Sequence, residues 1–274
     1  MMKKKKLLVL LLIFSLSFAC KDAKKSEKEI DSSTENVEET ADAKKILKTK
    51  GDEIKIIPIE HATAVIEWGD VSIYIDPTGG PLAFKNLKTP DLILITDIHG
   101  DHFNKETLEA LDVSKAKFVV PQTVADEMLN EFVGKLEVLA NGSNIELNGI
   151  SIEAVPMYNL REEAKDFHVK GRGNGYILTI DGQRIYFSGD TEDIPEMRSL
   201  KNIDKAFVCM NLPYTMTVES AASAVLDFKP KQVYPYHYRG RPDVSNVEIF
   251  KKLVDAGNQD IEVVQLDWYP NEDF

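Results

Sequence analysis

Residues 91–102 read Asp-Leu-Ile-Leu-Ile-Thr-Asp-Ile-His-Gly-Asp-His. The apolar and β-branched run Leu92–Thr96 predicts a buried strand. The chain then sets Asp97, His99, Asp101 and His102 within six positions. Carboxylates and neutral imidazoles are ligands of Zn, Mn and Fe, and four of them on a loop leaving a strand can converge on one point above the sheet. Gly100 allows the backbone to turn tightly between them. A fold that accepts this segment must keep its sheet apolar and collect polar loops at the strand ends.

The rest of the chain is consistent with such a layered α/β architecture. Strands are expected at 54–59, 62–68 and 71–75, with Gly69-Asp70 turning the last two into a hairpin that ends at Asp76-Pro77. A helix at 104–111 is expected to use Asn104 as its cap and to turn Thr107, Leu108 and Leu111 inward. Strand 118–120, helix 122–132 and short strands at 136–139, 144–147 and 150–155 follow. The second half is built alike, from a hairpin 176–187 ending in Ser188-Gly189-Asp190-Thr191, helix 194–200, strand 206–210, helix 218–228, strand 232–236 ending at His237, helix 246–256 and strand 261–266. Hairpins alternating with single helices in two halves predict two sheets face to face with helices outside, a four-layer αββα sandwich.

The front of the chain carries an address. Lys3–Lys6, the apolar run Leu7–Phe18 and Ala19-Cys20 have the layout of a secretory signal too short for an ordinary membrane span. Cys20 at the cleavage point resembles a bacterial lipoprotein signal; a plain secretory signal with an incidental cysteine is the alternative. The expected organisation is a signal peptide at 1–19, a charged tether at 20–50 and one catalytic domain at 51–274. Lipid on Cys20 would anchor the protein in the cell envelope, facing the periplasm or the outside. Cys209 would then be the only thiol left, so no internal disulfide can form. The tether is nearly all Lys, Glu, Asp, Ser, Thr and Ala and cannot bury enough apolar surface to order itself. Of the net charge of −12, Lys3–Lys6 supply +4 and residues 21–50 nothing, their eight lysines offsetting eight acids, so residues 51–274 carry −16. That excess argues against nucleic acid as a partner and in favour of a small-molecule substrate.

Two further strand ends carry polar groups: Gly189-Asp190 and Tyr236-His237. Taken singly, Asp190 reads equally as a turn or cap residue and His237 as a core histidine. Beside the four-residue cluster both read as metal ligands. At this point the chain resembles the metallo-β-lactamase superfamily of metal-dependent hydrolases. The resemblance rests on an ordered set of landmarks: His61-Ala-Thr, Tyr74-Ile-Asp-Pro77, Thr-Asp-Ile-His-Gly-Asp-His102, Ser-Gly-Asp-Thr191 and Tyr-Pro-Tyr-His237. It is nearest to the branch of ascorbate-phosphate lactonases and uncharacterised metal-dependent hydrolases, through Tyr158-Asn159, His168, Gly173-Asn-Gly-Tyr176, the run ending Pro-Glu-Met197 and Pro213-Tyr-Thr-Met216.

The resemblance implies one or two divalent ions, Zn by default, with Mn or Fe favoured somewhat by the oxygen-rich set. Asp101, His102, His237 and the bridging Asp190 would form a complete second site. The first departs from the family pattern, because Asp97 stands where a histidine is usual. Beside His99, Asp97 itself is read as the ligand that completes that site, with Asn159 and His168 as the alternatives. The implied activity is hydrolysis of an ester, lactone or phosphodiester by metal-activated water, with Asp101, Asp190 and His168 as catalytic residues. A redox di-iron protein of the same fold would want a His-x-Glu-x-Asp arrangement, which is missing. A surface lipoprotein that keeps its metal site only for binding is the alternative. His61, Asn159, Tyr214 and Arg239 are candidates for substrate or supporting contacts. Arg172, Arg239 and Arg241 sit beside metal motifs, where guanidinium suits phosphate or carboxylate recognition, though any one of them taken singly reads as a solvated side chain. The oligomeric state is not written in the sequence.

Overall fold

The computed structural model describes residues 53–270. The expected signal at 1–19, Cys20 and the tether to residue 50 lie outside the described residues. Among the described residues no helix is long and apolar enough to cross a membrane.

The opening hairpins form where the sequence places them. β1 (Ile54–Glu60), β2 (Thr63–Trp68) and β3 (Val71–Ile75) are antiparallel neighbours. The chain then adds β4 (Leu92–Leu94), β5 (Lys117–Val120) and β6 (Leu136–Val138) in parallel, giving a six-stranded sheet in sequence order. A seven-stranded sheet repeats the plan. β7 (Asn144–Leu147), β8 (Ile150–Met157), β9 (Gly173–Ile180) and β10 (Gln183–Phe187) are antiparallel, and β11 (Lys205–Val208), β12 (Gln232–Pro235) and β13 (Glu262–Val263) follow in parallel.

Successive side chains of a strand point to opposite faces, and the first sheet uses both. Ala64, Ile66, Ile73, Ile75, Leu92 and Leu94 share one apolar cluster with Ile152, Leu178, Ile185 and Phe187 of the second sheet. Their neighbours Val65, Tyr74, Ile93 and Ile95 join Leu108 of α1 (Lys105–Ala110) and Val124 of α2 (Gln122–Glu127) in another. A strand buried on both faces has no polar face to show, which is why 92–96 reads as a continuous apolar run. After the one-turn α3 (Pro195–Arg198), α4 (Val218–Phe228) and α5 (Val247–Gly257) pack together against the second sheet, and Phe228 meets Tyr186 edge-on at 6.2 Å. The expected αββα sandwich is what forms.

Several boundaries differ from expectation. The helix expected to Phe132 ends at Glu127, Met128 is extended, and a 3₁₀ turn follows at Asn130–Lys135. The break brings Phe132 onto Phe118 at 5.2 Å. The helix expected at 194–200 is a single turn. The last strand pairs only through Glu262 and Val263. Beyond them the chain leaves the sheet, and the Trp268 carbonyl accepts the His61 backbone N–H at 3.1 Å. Asn104 does cap α1, accepting the Thr107 N–H at 2.8 Å, an arrangement worth about 1 kcal/mol; Thr107 and Leu108 are buried and Leu111 half-buried.

Candidate metal centre

β1, β3, β4, β8, β10, β11 and β12 deliver His61, Asp76, the Asp97–His102 loop, the Asn159–His168 loop, Asp190, Asn211 and His237 from their carboxyl ends. His61, Asp76 and His237 have φ values of 52°, 45° and 46°. The left-handed region costs a non-glycine residue about 1–3 kcal/mol, and such strain persists where surrounding contacts hold it. Two of these backbones hold one another, the His237 N–H donating to the His61 carbonyl at 3.1 Å. Gly189, at φ 61°, lets the chain pass so close to Met157 that a Cβ there would lie 2.7 Å from its sulfur, and this brings Asp190 in from the second sheet.

His102 is fully buried, with Nδ1 2.8 Å from Asp76 Oδ2. Asp76 also accepts the Thr96 N–H at 2.7 Å and its hydroxyl at 2.6 Å. Where the neutral His102 ring, the form that binds metal, gives Nδ1–H to Asp76, its lone pair is on Nε2. That atom lies 3.4 Å from Asp190 Oδ2 and 4.0 Å from Asp101 Oδ1. Asp190 Oδ1 is 2.9 Å from His237 Nε2, and its Oδ2 is 3.1 Å from His168 Nε2. One carboxylate therefore faces three imidazoles. His102 Nε2 and Asp190 Oδ1 are nevertheless buried without a hydrogen-bond partner. The 2.9 Å approach to His237 is thus a contact of poor hydrogen-bond geometry. Unpartnered buried polar atoms are costly, and a cation between them would satisfy both.

Three sets of donors lie within 4.8 Å of one another: His102, Asp190 and His237; His61, Asp101 and His237; and Asp97, His99 and His168. The structure thus groups three of the four residues expected at the second site, His102, Asp190 and His237, and places Asp101 in an adjoining set with His61 that shares His237. Nitrogen and carboxylate oxygen together suit Zn, Mn or Fe.

On the other side, the loop after β8 closes on itself and carries His168 inward. The Asn159 N–H donates to the His168 carbonyl at 2.9 Å, and its side-chain amide donates to the Ala164 and Tyr214 carbonyls at 2.8 and 2.6 Å. Asn159 fastens the loop and leaves the imidazole to face Asp190. Asp97 is fully buried. It accepts from Arg172 through Nε at 3.1 Å and Nη2 at 2.9 Å, and its Oδ2 is 2.8 Å from His99 Nδ1.

The charges follow. Burial pushes the Asp190 carboxyl up, but His237, His102 and His168 outweigh it and hold it well below the usual range. Burial likewise opposes charge on Asp97, yet the His99 hydrogen bond, His102 and Arg172 hold it at about 2. His61 is lowered to about 4 by burial and by His237. Its Nε2 lies 3.3 Å from Asp101 Oδ2 and its Nδ1 2.9 Å from the Tyr269 hydroxyl. The expected supporting role of His61 thus has definite partners.

His61, His99, Asp101, His168, Asp190 and Asn211 form the floor of a cavity of about 380 Å³. Phe167 and Tyr214 make one wall, with rings 5.2 Å apart and nearly perpendicular, and Arg239 and Arg241 stand on the rim. Arg239 also lies over the Tyr269 ring, 5.3 Å from its centroid. Arg172, read from sequence as solvated, is instead the bidentate partner of Asp97. Asp76 drew notice only as a strand end and a family landmark; an Asp-Pro step closing an apolar strand was its one signal. Asn211, whose side-chain nitrogen is 3.3 Å from His237 Nε2, gave none.

A family model described as a beta-lactamase superfamily domain matches residues 55–237. A UPF0173 metal-dependent hydrolase from Pyrococcus abyssi is 36% identical over 211 residues, covering 73% of this chain and 92% of that protein. The chain belongs to the UPF0173 metal-dependent hydrolase family of the beta-lactamase superfamily. The crystal structure of a Parabacteroides distasonis protein, a metal-dependent hydrolase by name, is 38% identical with a TM-score of 0.71, covering 80% of this chain and 95% of that one. A metallo hydrolase from Ignicoccus hospitalis is 25% identical with a TM-score of 0.66, covering 78% and 94%. The matched region of this UPF0173 member runs from β1 to His237 and so takes in every strand but β13 and the whole donor cluster.

Proposed function

We propose that this UPF0173 protein is a hydrolase of an ester, lactone or phosphodiester bond, held in a bacterial envelope through lipid on Cys20. The observation that carries the hydrolytic reading is the pair of unpartnered buried atoms, His102 Nε2 and Asp190 Oδ1, beneath an open cavity. Asp101, His102, Asp190 and His237 would hold one divalent ion, and His99 and His168 with Asp190 a second. When bound, such an ion lowers the pKa of water toward about 7 and takes up charge that develops on the substrate oxygen. Zn is the default for this donor set.

The protein's own groups complete the chemistry. Asp101 is 44% exposed on the cavity floor and is steadied by His61, so it can orient the attacking water. Asp190 holds the three imidazoles in register. Asp97, its oxygens engaged by Arg172 and His99, acts as the positioning group for His99, and His168 supplies the missing ligand. A water nucleophile is supported by the state of the nearby hydroxyl and thiol: Ser188 donates to the Gly189 carbonyl, and Cys209 is buried. The test is elemental analysis of the purified protein beside a panel of nitrophenyl esters, lactones and bis(nitrophenyl) phosphate. Bound metal without turnover of any class would favour a binding lipoprotein instead.

A further inference from the structure

Most described arginines are already committed. Arg161 pairs with Glu192, Arg172 with Asp97, Arg184 with Glu153 and Arg198 with Asp193, and Arg239 lies over Tyr269. Arg241 differs. It lines the metal-site cavity, is exposed, and among the described residues no carboxylate lies within ion-pairing distance of it. It also lines a second cavity of about 320 Å³ with Leu212, Val218, Ile249 and the acidic Glu219 and Asp243, so the residue borders two openings.

Its backbone is nonetheless firmly placed. The Arg241 N–H donates to the Leu212 carbonyl at 2.8 Å, and the Gly240 N–H donates to the Asp243 carbonyl at 3.2 Å. Gly240 packs so tightly that a Cβ there would meet the Leu212 oxygen at 1.8 Å. An exposed arginine on a fixed stretch of backbone at the mouth of a cavity, with no ion pair among the described residues, gives a local anion contact in a domain whose overall field repels anions. Phe167 and Tyr214 line the same cavity and offer it an aromatic wall.

We propose that the substrate carries a carboxylate of its own, separated from the scissile bond by an apolar segment. Arg241 binds the carboxylate, and Phe167 and Tyr214 cover the apolar part. The planar guanidinium edge matches a planar carboxylate through two parallel hydrogen bonds. This rests on the hydrolytic reading for the word substrate, but the contact itself is testable without turnover.

The experiment is calorimetric titration of the metal-loaded protein with phenylsuccinate, which has two carboxylates, and with 3-phenylpropionate, which has one. Phenylsuccinate should bind about tenfold tighter or better, as expected for a charge-assisted pair. Arg241→Ala should remove most of that margin and leave 3-phenylpropionate unchanged, and Arg241→Lys should recover part of it. No margin in the wild type, or equal weakening of both probes by Arg241→Ala, overturns the proposal. Failure to cleave any ester, lactone or phosphodiester while the Arg241-dependent margin persists would overturn the hydrolytic reading alone.

Discussion

Asp76 Oδ2 lies 2.8 Å from Nδ1 of His102, both side chains fully buried and 26 residues apart in the chain. The carboxylate fixes which imidazole nitrogen carries the proton and so aims Nε2 at Asp190 and Asp101. An orienting partner of this kind is as much part of a metal site as the ligand it holds. Asp76→Asn should therefore weaken metal binding about 10–100-fold with the fold intact. Competition against a chromophoric chelator measures the affinity, and circular dichroism checks the fold. Unchanged affinity would remove Asp76 from the site.

Removing two ligands from the more complete set should abolish the tighter equivalent of metal. His102→Ala combined with His237→Ala deletes two nitrogens that face Asp190. Metal content per chain, read by elemental analysis, should fall by at least one equivalent relative to wild type. Equal content in both preparations would refute the assignment.

The first site separates Asp97 from His168. With Asp97 bound to Arg172 at 2.9 and 3.1 Å, His168→Ala should release one metal equivalent, while Asp97→His should gain nothing. Titration of both variants with Zn and Mn gives the answer. Tighter metal in Asp97→His, with His168→Ala unaffected, would make Asp97 the ligand.

Cys209 offers a check on the packing of the core. Burial, together with the Asp190 charge, pushes its thiol up to about 11. Raising a thiol's pKa reduces the thiolate fraction at any lower pH, and the thiolate is the reactive form. A chain beginning at residue 51 should show no rapid reaction with a disulfide reagent at about pH 8, and one fast equivalent after denaturation. Rapid labelling of the native protein would contradict the packing around β11.

Cys20 tests the address. If it carries lipid, Cys20→Ala should move the protein from the membrane fraction to the soluble envelope fraction. A variant that still sediments with membranes would refute the anchor.

Most of the architecture was legible because burial on both faces leaves a strong trace in sequence. Ile93 and Ile95 face one layer and Leu92 and Leu94 the other, so the whole run had to be apolar. Helix limits were less legible, because the break at Met128 answers to Phe118, which sits outside any local window. The second-site ligands could be read in the same way, since Asp101 and His102 are adjacent and Asp190 and His237 each end an apolar strand. Strand ends, donor types and the acidic charge of the domain are written in local sequence. The partners those groups take come from the fold: Arg172 reaches Asp97 across 75 residues and His61 meets His237 across 176. Chain order carries no record of such distances, and a carboxylate is ligand or support according to which neighbour the packing brings within about 3 Å.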